Sequence, residues 1–394
     1  VIETKISIIK SLCYRRLQSI SEIANNITRS IPSTTKKLQE LAIDGIVTPV
    51  GLARSTGGRR ALQYQLQVDN LPLIISVAID QYYSSVALLN FDHSYHSKIL
   101  TIKNTLSDVG AFEKLVALIN ELKSKAGKRK IFAIGLTVPG FVDTAHGINA
   151  SYPAENPFCN IKNRFEQSFG VQTLLENDSA AIAIAEKRFG KQQASKDMLV
   201  VNLNWGIGLG MIIDGKLFRG HSGFAGEFSH IPLSEKGQLC SCGKRGCLEV
   251  EASLISAISY VHSRLAKGEP SSLMEYYAQN GHITGECLID AAKLGDHLAL
   301  SAIESIAYAI GKGLATLIHI INPEHIVLSG RGARLGDILP NAIQTSVRKY
   351  TIERLRRQTQ FSISEIEYPQ LLGGACLAIE NADYENLTKH TKQL

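Results

Sequence analysis

No uninterrupted hydrophobic run in this sequence reads as a membrane span. The longest apolar stretch, around Ala307 to Ile321, is broken by Gly311, Lys312, Gly313 and His319, whereas a span needs about 20 predominantly apolar residues. No charged segment leading into an apolar one opens the sequence, so a soluble, cytoplasmic protein is expected. A disulfide framework is missing too. Of seven cysteines, Cys13, Cys159, Cys287 and Cys376 are scattered without pairing pattern, which suits a reducing compartment. Excess charge is absent from most of the chain. The net charge is +6, and residues 1–66 account for all of it, with four Lys and six Arg against Glu3, Glu22, Glu40 and Asp44. A small basic unit on a neutral body is the electrostatic footprint of a nucleic-acid-binding head, and 394 residues allow two or more domains.

The head reads as three helices. Ile6, Ile9, Leu12, Cys13 and Leu17 recur at helical spacing between Glu3 and Gln18. Ser19 to Ser21 offer N-caps to a short helix with Ile20, Ile23, Ala24 and Ile27 inside, closed by Thr28-Arg29-Ser30. A third helix starts near Pro32, buries Leu38, Leu41 and Ala42, and stops at Gly45. This is the helix-turn-helix pattern, with Arg29, Ser33, Thr34, Lys36 and Lys37 positioned to meet DNA. The following GLARSTGGRRALQYQL reads as a two-stranded wing bent at Gly57 and Gly58, with Arg54, Arg59 and Arg60 at its tip for phosphates or a narrow minor groove. A solvated basic face on a small helical domain is the competing reading, and a protein partner for the head is another.

From Leu73 the character changes to α/β. LIISVAIDQYYSSVALLNFDHSYHSKILTI predicts three consecutive strands, and VGAFEKLVALINELKSKAG predicts a helix. The opening recurs in MLVVNLNWGIGLGMIIDGKLF, with Asp80 and Asn204 at matching places after the first strand. A repeat over about 120 residues implies two similar lobes with ligands in the cleft between them. The expected divisions are a DNA-binding domain at 1–66, a linker at 67–72, and a body at 73–394. Lobe 1 of that body covers about 73–186 plus a C-terminal helix at about 372–385, and lobe 2 about 187–371.

GEFSHIPLSEKGQLCSCGKRGCLE, from Gly226 to Glu249, concentrates His230, Cys240, Cys242 and Cys247 at the spacing H-x9-C-x-C-x4-C. Three thiolates and an imidazole fill a tetrahedral structural zinc site and leave no position for water. The alternative is three reduced thiols and a buried histidine, but apolar fillers do not usually cluster among Gly, Lys and Ser in a polar loop. A zinc-ribbon DNA reader is disfavoured because the cluster lies in the neutral part of the chain.

The motifs IGLTVPGFVD (134–143), ENDSAAIAIAE (176–186), GEFSH (226–230), CSCGKRGCLE (240–249) and GGACLA (373–378) together resemble the ROK family of repressors, open reading frames and sugar kinases. The likeness covers nearly the whole chain and is strongest to the DNA-binding repressor branch. It implies a winged helix-turn-helix followed by a two-lobed actin-like ATPase (ribonuclease H-like) domain. It also implies that Asn177, Asp178, Glu227, His230 and Glu249, with Gly140 beside them, line a sugar pocket, and that His230, Cys240, Cys242 and Cys247 bind zinc. In the family's kinases the aspartate matching Asp178 is the general base on the sugar hydroxyl. A pure binding site can retain it, because a carboxylate bonds a sugar hydroxyl strongly.

The nucleotide side departs from the family's kinases. Their first phosphate loop resembles D-x-G-x-T, and this chain has Asp80-Gln81-Tyr82-Tyr83-Ser84, with a tyrosine for the glycine and a serine that can still supply a hydroxyl. Their second resembles G-T-G-I-G-x-G, and here Asn204-Trp205-Gly206-Ile207-Gly208-Leu209-Gly210 puts the chain's single tryptophan at the threonine. The surviving glycines are explained by close strand turns. Ser329-Gly330-Arg331-Gly332 replaces a G-G-x segment near the adenosine. The expectation is therefore a sugar-responsive repressor with structural Zn2+ and without ATP/Mg2+. It would bind double-stranded operator DNA and a sugar or sugar phosphate as a homodimer or homotetramer, with no catalytic residue. The alternative is an active ROK sugar kinase carrying an extra head.

Overall fold

The head's helices form where the sequence supplies starts and stops. In the computed structural model, which describes residues 2–52, 61–108, 110–384 and 387, α1 (Ile2–Tyr14) buries Ile8, Ile9, Leu12 and Cys13. After the two-residue strand β1 (Gln18–Ser19), α2 (Ile20–Asn26) opens with a reciprocal cap. Ser19 Oγ accepts the Glu22 N–H at 3.3 Å and the Glu22 carboxylate accepts the Ser19 N–H at 2.7 Å, satisfying two donors that a helix start leaves orphaned. α3 (Ile31–Ile43) has Pro32 in its first turn, and Gly45 follows it at φ 69°, a left-handed position that favours glycine. β2 (Val47–Leu52) and β3 (Leu62–Leu66) pair antiparallel as the ribbon pattern predicts. Sequence reading missed β1, which pairs with Tyr64 and Gln63 of β3 and makes the sheet three-stranded.

The chain divides into two compact units, Val1–Asp178 with Gln370–Leu394, and Ser179–Pro369. The first contains the head, then β4 (Leu73–Ile79), β5 (Tyr83–Leu89), β6 (Leu100–Lys103), α4 (Ala111–Ser124) and β7 (Ile131–Val138). The short ribbon β8 (Val142–Asp143) and β9 (Ile148–Asn149), α5 (Ile161–Phe169) and β10 (Thr173–Asn177) complete its body. The second follows from α6 (Asp178–Phe189) through β11 (Met198–Leu203), β12 (Ile207–Ile213), β13 (Lys216–Leu217), α7 (Leu248–Ala252), α8 (Leu254–Leu265), α9 (Met274–Asn280) and α10 (Gly285–Lys293). It continues with α11 (His297–Ile321), β14 (His325–Ser329), α12 (Ile338–Tyr350), α13 (Glu353–Arg356) and β15 (Gln360–Ile363), and α14 (Pro369–Asn381) then returns to the first unit.

The predicted repeat is present in the sheets. The orders β6-β5-β4-β7-β10 and β13-β12-β11-β14-β15 are the same topology, three antiparallel strands followed by two parallel ones. Parallel neighbours need a crossover, and the helices between β4 and β7, and between β12 and β14, supply it. In the first unit α14 lies on the sheet at two glycines. A Cβ on Gly135 of β7 would sit 1.9 Å from the Gly374 carbonyl oxygen, which is why GGACLA carries glycines there.

The head shares its core with the rest of its unit. Ile8, Ile9 and Leu12 of α1 belong to one apolar cluster with Ile74, Leu89, Leu371, Ala375 and Ile379. Residues 67–72, read as a linker, carry a 3-10 turn at Val68–Asn70, and Arg129 donates to the carbonyls of Val68 (2.6 Å) and Leu71 (2.6 and 2.9 Å). In the second unit α11 is long and apolar enough by composition to cross a membrane, yet Leu298, Ile303, Ile310, Leu314 and Ile318 lie in the core, as in a buried helix of a folded domain.

Candidate metal centre and functional site

The metal centre is built on a tight loop between β13 and α7. Phe228–His230 form a 3-10 turn, and the chain then pairs with its own return at Pro232 with Cys247 and at Leu239 with Arg245. Gly246, at φ 68°, closes this hairpin, since a Cβ there would lie 1.7 Å from the Ser234 carbonyl oxygen. Cys247 then caps α7, whose first turn carries Glu249.

One ligand atom from each of His230, Cys240, Cys242 and Cys247 lies within 4.8 Å of all the others. Cys242 and Cys247 sulfurs are 3.6 Å apart, and Cys240 Sγ is 3.6 Å from His230 Nδ1. A tetrahedron with metal–sulfur bonds of about 2.3 Å has sulfur–sulfur edges of about 3.8 Å, so the donor set fits a structural zinc site. Burial, aided by the charge of Lys244, lowers the pKa of His230 and favours the neutral imidazole a metal needs. Burial pushes the Cys247 thiol up to about 12, while the backbone N–H of Lys244, bonding its sulfur, lowers that of Cys242. On the other side of the ring, His230 Nε2 faces a Glu227 carboxylate oxygen at 3.9 Å, beyond direct hydrogen-bond length.

The residues expected around a sugar fall into two sets. In the first unit the Asn177 side chain donates to the Gly140 carbonyl at 3.1 Å, which brings two of them together. Asp178 opens α6 directly after. Gly140 has φ 101°, and its missing Cβ would collide with Ser151 Oγ at 2.3 Å. Ser151 accepts the Phe141 N–H at 2.8 Å, and buried Asn149 donates to the Pro139 carbonyl at 3.0 Å. Ser151 and Asn149, which sequence reading passed over, therefore set this loop. In the second unit Glu227, His230 and Glu249 all ride on the metal loop, and a Cβ on Gly206 would meet the Glu249 carboxylate at 2.5 Å.

In both segments expected to match the kinases' phosphate loops, the chain's own groups pack against or bond the backbone. Asp80 Oδ1 accepts the N–H groups of Tyr82 and Tyr83, each at 2.7 Å. Ser84 is fully buried and its oxygen accepts from Asn104 Nδ2 at 3.2 Å, which corrects the expectation that its hydroxyl is offered to a ligand. Gly208 and Gly210 let β12 rest on α6, where added Cβ atoms would lie 2.1 Å from Ser179 Oγ and 2.4 Å from the Ala183 methyl. Trp205 is nearly buried, and Arg331 places its guanidinium 4.8 Å from the indole centre. Arg331 also ion-pairs with Glu286 and donates its backbone N–H to Asn204 Oδ1 at 2.9 Å.

On the head, Arg29, Ser33 and Lys36 are exposed. Thr34 is not available as expected: it is wholly buried and its hydroxyl donates to the Ser30 carbonyl at 3.0 Å. Lys37 is paired to Glu40 at 2.7 Å. Arg54, Arg59 and Arg60 lie outside the described residues.

Residues 89–381 match the ROK family. The chain belongs to the ROK family. It is 26% identical to the xylose repressor of Caldicellulosiruptor bescii over 96% of this chain and 95% of that protein. It is 28% identical to the DNA-binding transcriptional dual regulator NagC of Escherichia coli over 90% of this chain and 87% of NagC. Among solved structures, a ROK family glucokinase from Streptomyces griseus in complex with glucose and AMPPNP aligns with TM-score 0.69 and 27% identity, covering 78% of this chain and 100% of the glucokinase. The ROK kinase is thus matched in full by part of this chain, whereas the ROK repressor similarity extends through the head.

Proposed function

We propose that this ROK protein is a sugar-responsive, DNA-binding transcriptional repressor. The observation that carries the reading is coverage: likeness to the xylose repressor runs over nearly the entire chain and so includes the basic head. The head acts as a winged helix-turn-helix, with Arg29, Ser33 and Lys36, and the arginines Arg54, Arg59 and Arg60, contacting operator phosphates and groove edges. Zinc is held by His230, Cys240, Cys242 and Cys247 and supplies rigidity rather than chemistry, because four protein ligands leave no open position. Asn177, Asp178, Glu227, His230 and Glu249 bond the hydroxyls of a sugar or sugar phosphate, and Gly140 orders Asn177. Sugar binding lowers operator affinity, and a coupling of about 1–3 kcal/mol changes it roughly 5- to 150-fold. The protein works in the cytoplasm as a homodimer or higher even-numbered oligomer.

Kinase chemistry is absent in this reading, supported by the buried Ser84 and by Arg331 stacked on Trp205. The glucokinase similarity and the retained Asp178 favour the second reading, an active sugar kinase with a head. Two measurements separate them. Thermal shift with free, N-acetylated and phosphorylated sugars identifies the effector, and the same sugars are then tested for release of the purified chain from upstream DNA. ATP-dependent phosphorylation that disappears in Asp178→Asn would overturn the repressor-only reading, as would failure to bind DNA at low salt.

A further inference from the structure

α11 carries a single cation within a buried stretch. Gly311, Gly313, Leu314 and Ala315 are buried around half-buried Lys312. The ammonium of Lys312 donates at 3.1 Å to the carbonyl of Leu233, and among the described residues no carboxylate pairs with it. Partial burial of a charge is costly unless it is paired or hydrogen-bonded. Here it holds the segment of the candidate metal loop that follows His230. Leu233 in turn donates its N–H to the Gly246 carbonyl at 2.7 Å, one residue before Cys247, and Leu248 donates to the Ile231 carbonyl at 2.9 Å. The neighbouring Gly313 completes the seat, because a Cβ there would lie 2.9 Å from the Phe228 ring and 3.5 Å from Leu248. Segments flanking His230 and Cys247 therefore rest on one turn of α11.

We propose that Lys312 is a positioning residue for the metal centre. Its charge-assisted hydrogen bond fixes the Leu233 carbonyl and, through the Leu233–Gly246 pair, the separation of His230 from Cys247. The inference rests on the reading of these ligands as a zinc site. It also ties the stability of the ligand cage to the long core helix.

The test compares full-length wild type, Lys312→Met, which keeps the stem, and Lys312→Arg, which keeps a donor. Each is loaded with zinc and challenged with a chromophoric chelator, and the visible spectrum of the cobalt(II)-substituted form is recorded alongside. Lys312→Met is expected to release zinc on the order of 10- to 100-fold faster with an altered cobalt spectrum, and Lys312→Arg to restore both. Release from Lys312→Met at the wild-type rate, or faster release that merely follows a lowered melting temperature and is not rescued by arginine, would overturn the proposal. A wild type that holds no zinc overturns the metal reading itself, and the proposal with it.

Discussion

Arg331 stacks its guanidinium on the Trp205 ring, 4.8 Å from the centroid, and the same guanidinium ion-pairs with Glu286. The two residues are those that the sequence resemblance set against the kinases' second phosphate loop and adenosine segment. A planar cation on an indole in a nearly buried setting is a stable occupant, so two of the departures seen in sequence, at Trp205 and Arg331, form one assembled group.

Trp205 is the single tryptophan of the chain, so its fluorescence reports on this group alone. Arg331→Ala is expected to change the emission maximum and to cost about 1–2 kcal/mol, from the lost stacking and the unpaired Glu286. Saturating Mg-ATP is expected to leave wild-type emission unchanged. A saturable ATP-induced change would show that the group opens to admit nucleotide.

Metal removal tests the loop. Stripping the ion with a chelator, or replacing Cys242 with alanine, is expected to lower the melting temperature and abolish the sugar response. Direct DNA contacts are expected to survive, since the four ligands belong to a different compact unit from the head. Zinc content by atomic absorption, melting, and DNA binding at low salt separate these effects. Loss of DNA binding alone, with fold and sugar binding intact, would misplace the cluster.

Glu186 gives a pH prediction. It is buried, its Oε1 accepts from Ser329 Oγ at 3.4 Å, and burial raises its pKa, with Ser364 and Ser329 partly opposing. A carboxyl whose folded pKa is raised contributes stability that is present below its ordinary range and lost as pH rises through the folded value. Glu186→Gln keeps the shape without the ionisation. It is expected to match wild type below the ordinary carboxylate pKa and to exceed it at neutral and higher pH. Urea melts across that range check it, and a difference independent of pH would mean that folding does not raise the pKa of Glu186.

Much of this was legible in the chain because local signals carry it. Ser19 and Glu22 mark a helix start three residues apart, and the four candidate metal ligands share one Gly-punctuated loop, so neighbours in sequence became neighbours in space. The duplicated strand pattern likewise announced two sheets of one topology. What escaped is what depends on partners far along the chain. Ser84 reads as a surface hydroxyl until Asn104 is brought over it, and the hold of Arg129 on Val68 and Leu71 spans about sixty residues. Lys312 reads only as an interruption of an apolar run until the Leu233 carbonyl arrives. Thr34 was misread for a different reason: helical position alone does not say which face of α3 meets the core, and Thr34 falls on the same side as Leu38 and Leu41.

That face of α3 sorts the lysines of the head. Lys36 is exposed, whereas Lys37 is held by Glu40 at 2.7 Å, and Glu40 is shared with Lys5 at 3.2 Å. A cation already neutralised by a neighbouring carboxylate releases few counterions when it approaches a phosphate. Lys36→Ala is therefore expected to weaken binding to double-stranded DNA at all sequences and to reduce the slope of log affinity against log salt by about one. Lys37→Ala is expected to change that slope less and to act mainly through loss of its ion pair with Glu40 along α3, with a small effect on stability. Fluorescence anisotropy over a salt series measures both slopes. Equal slope changes for the two variants would show that Lys37 leaves Glu40 for the phosphate when DNA binds.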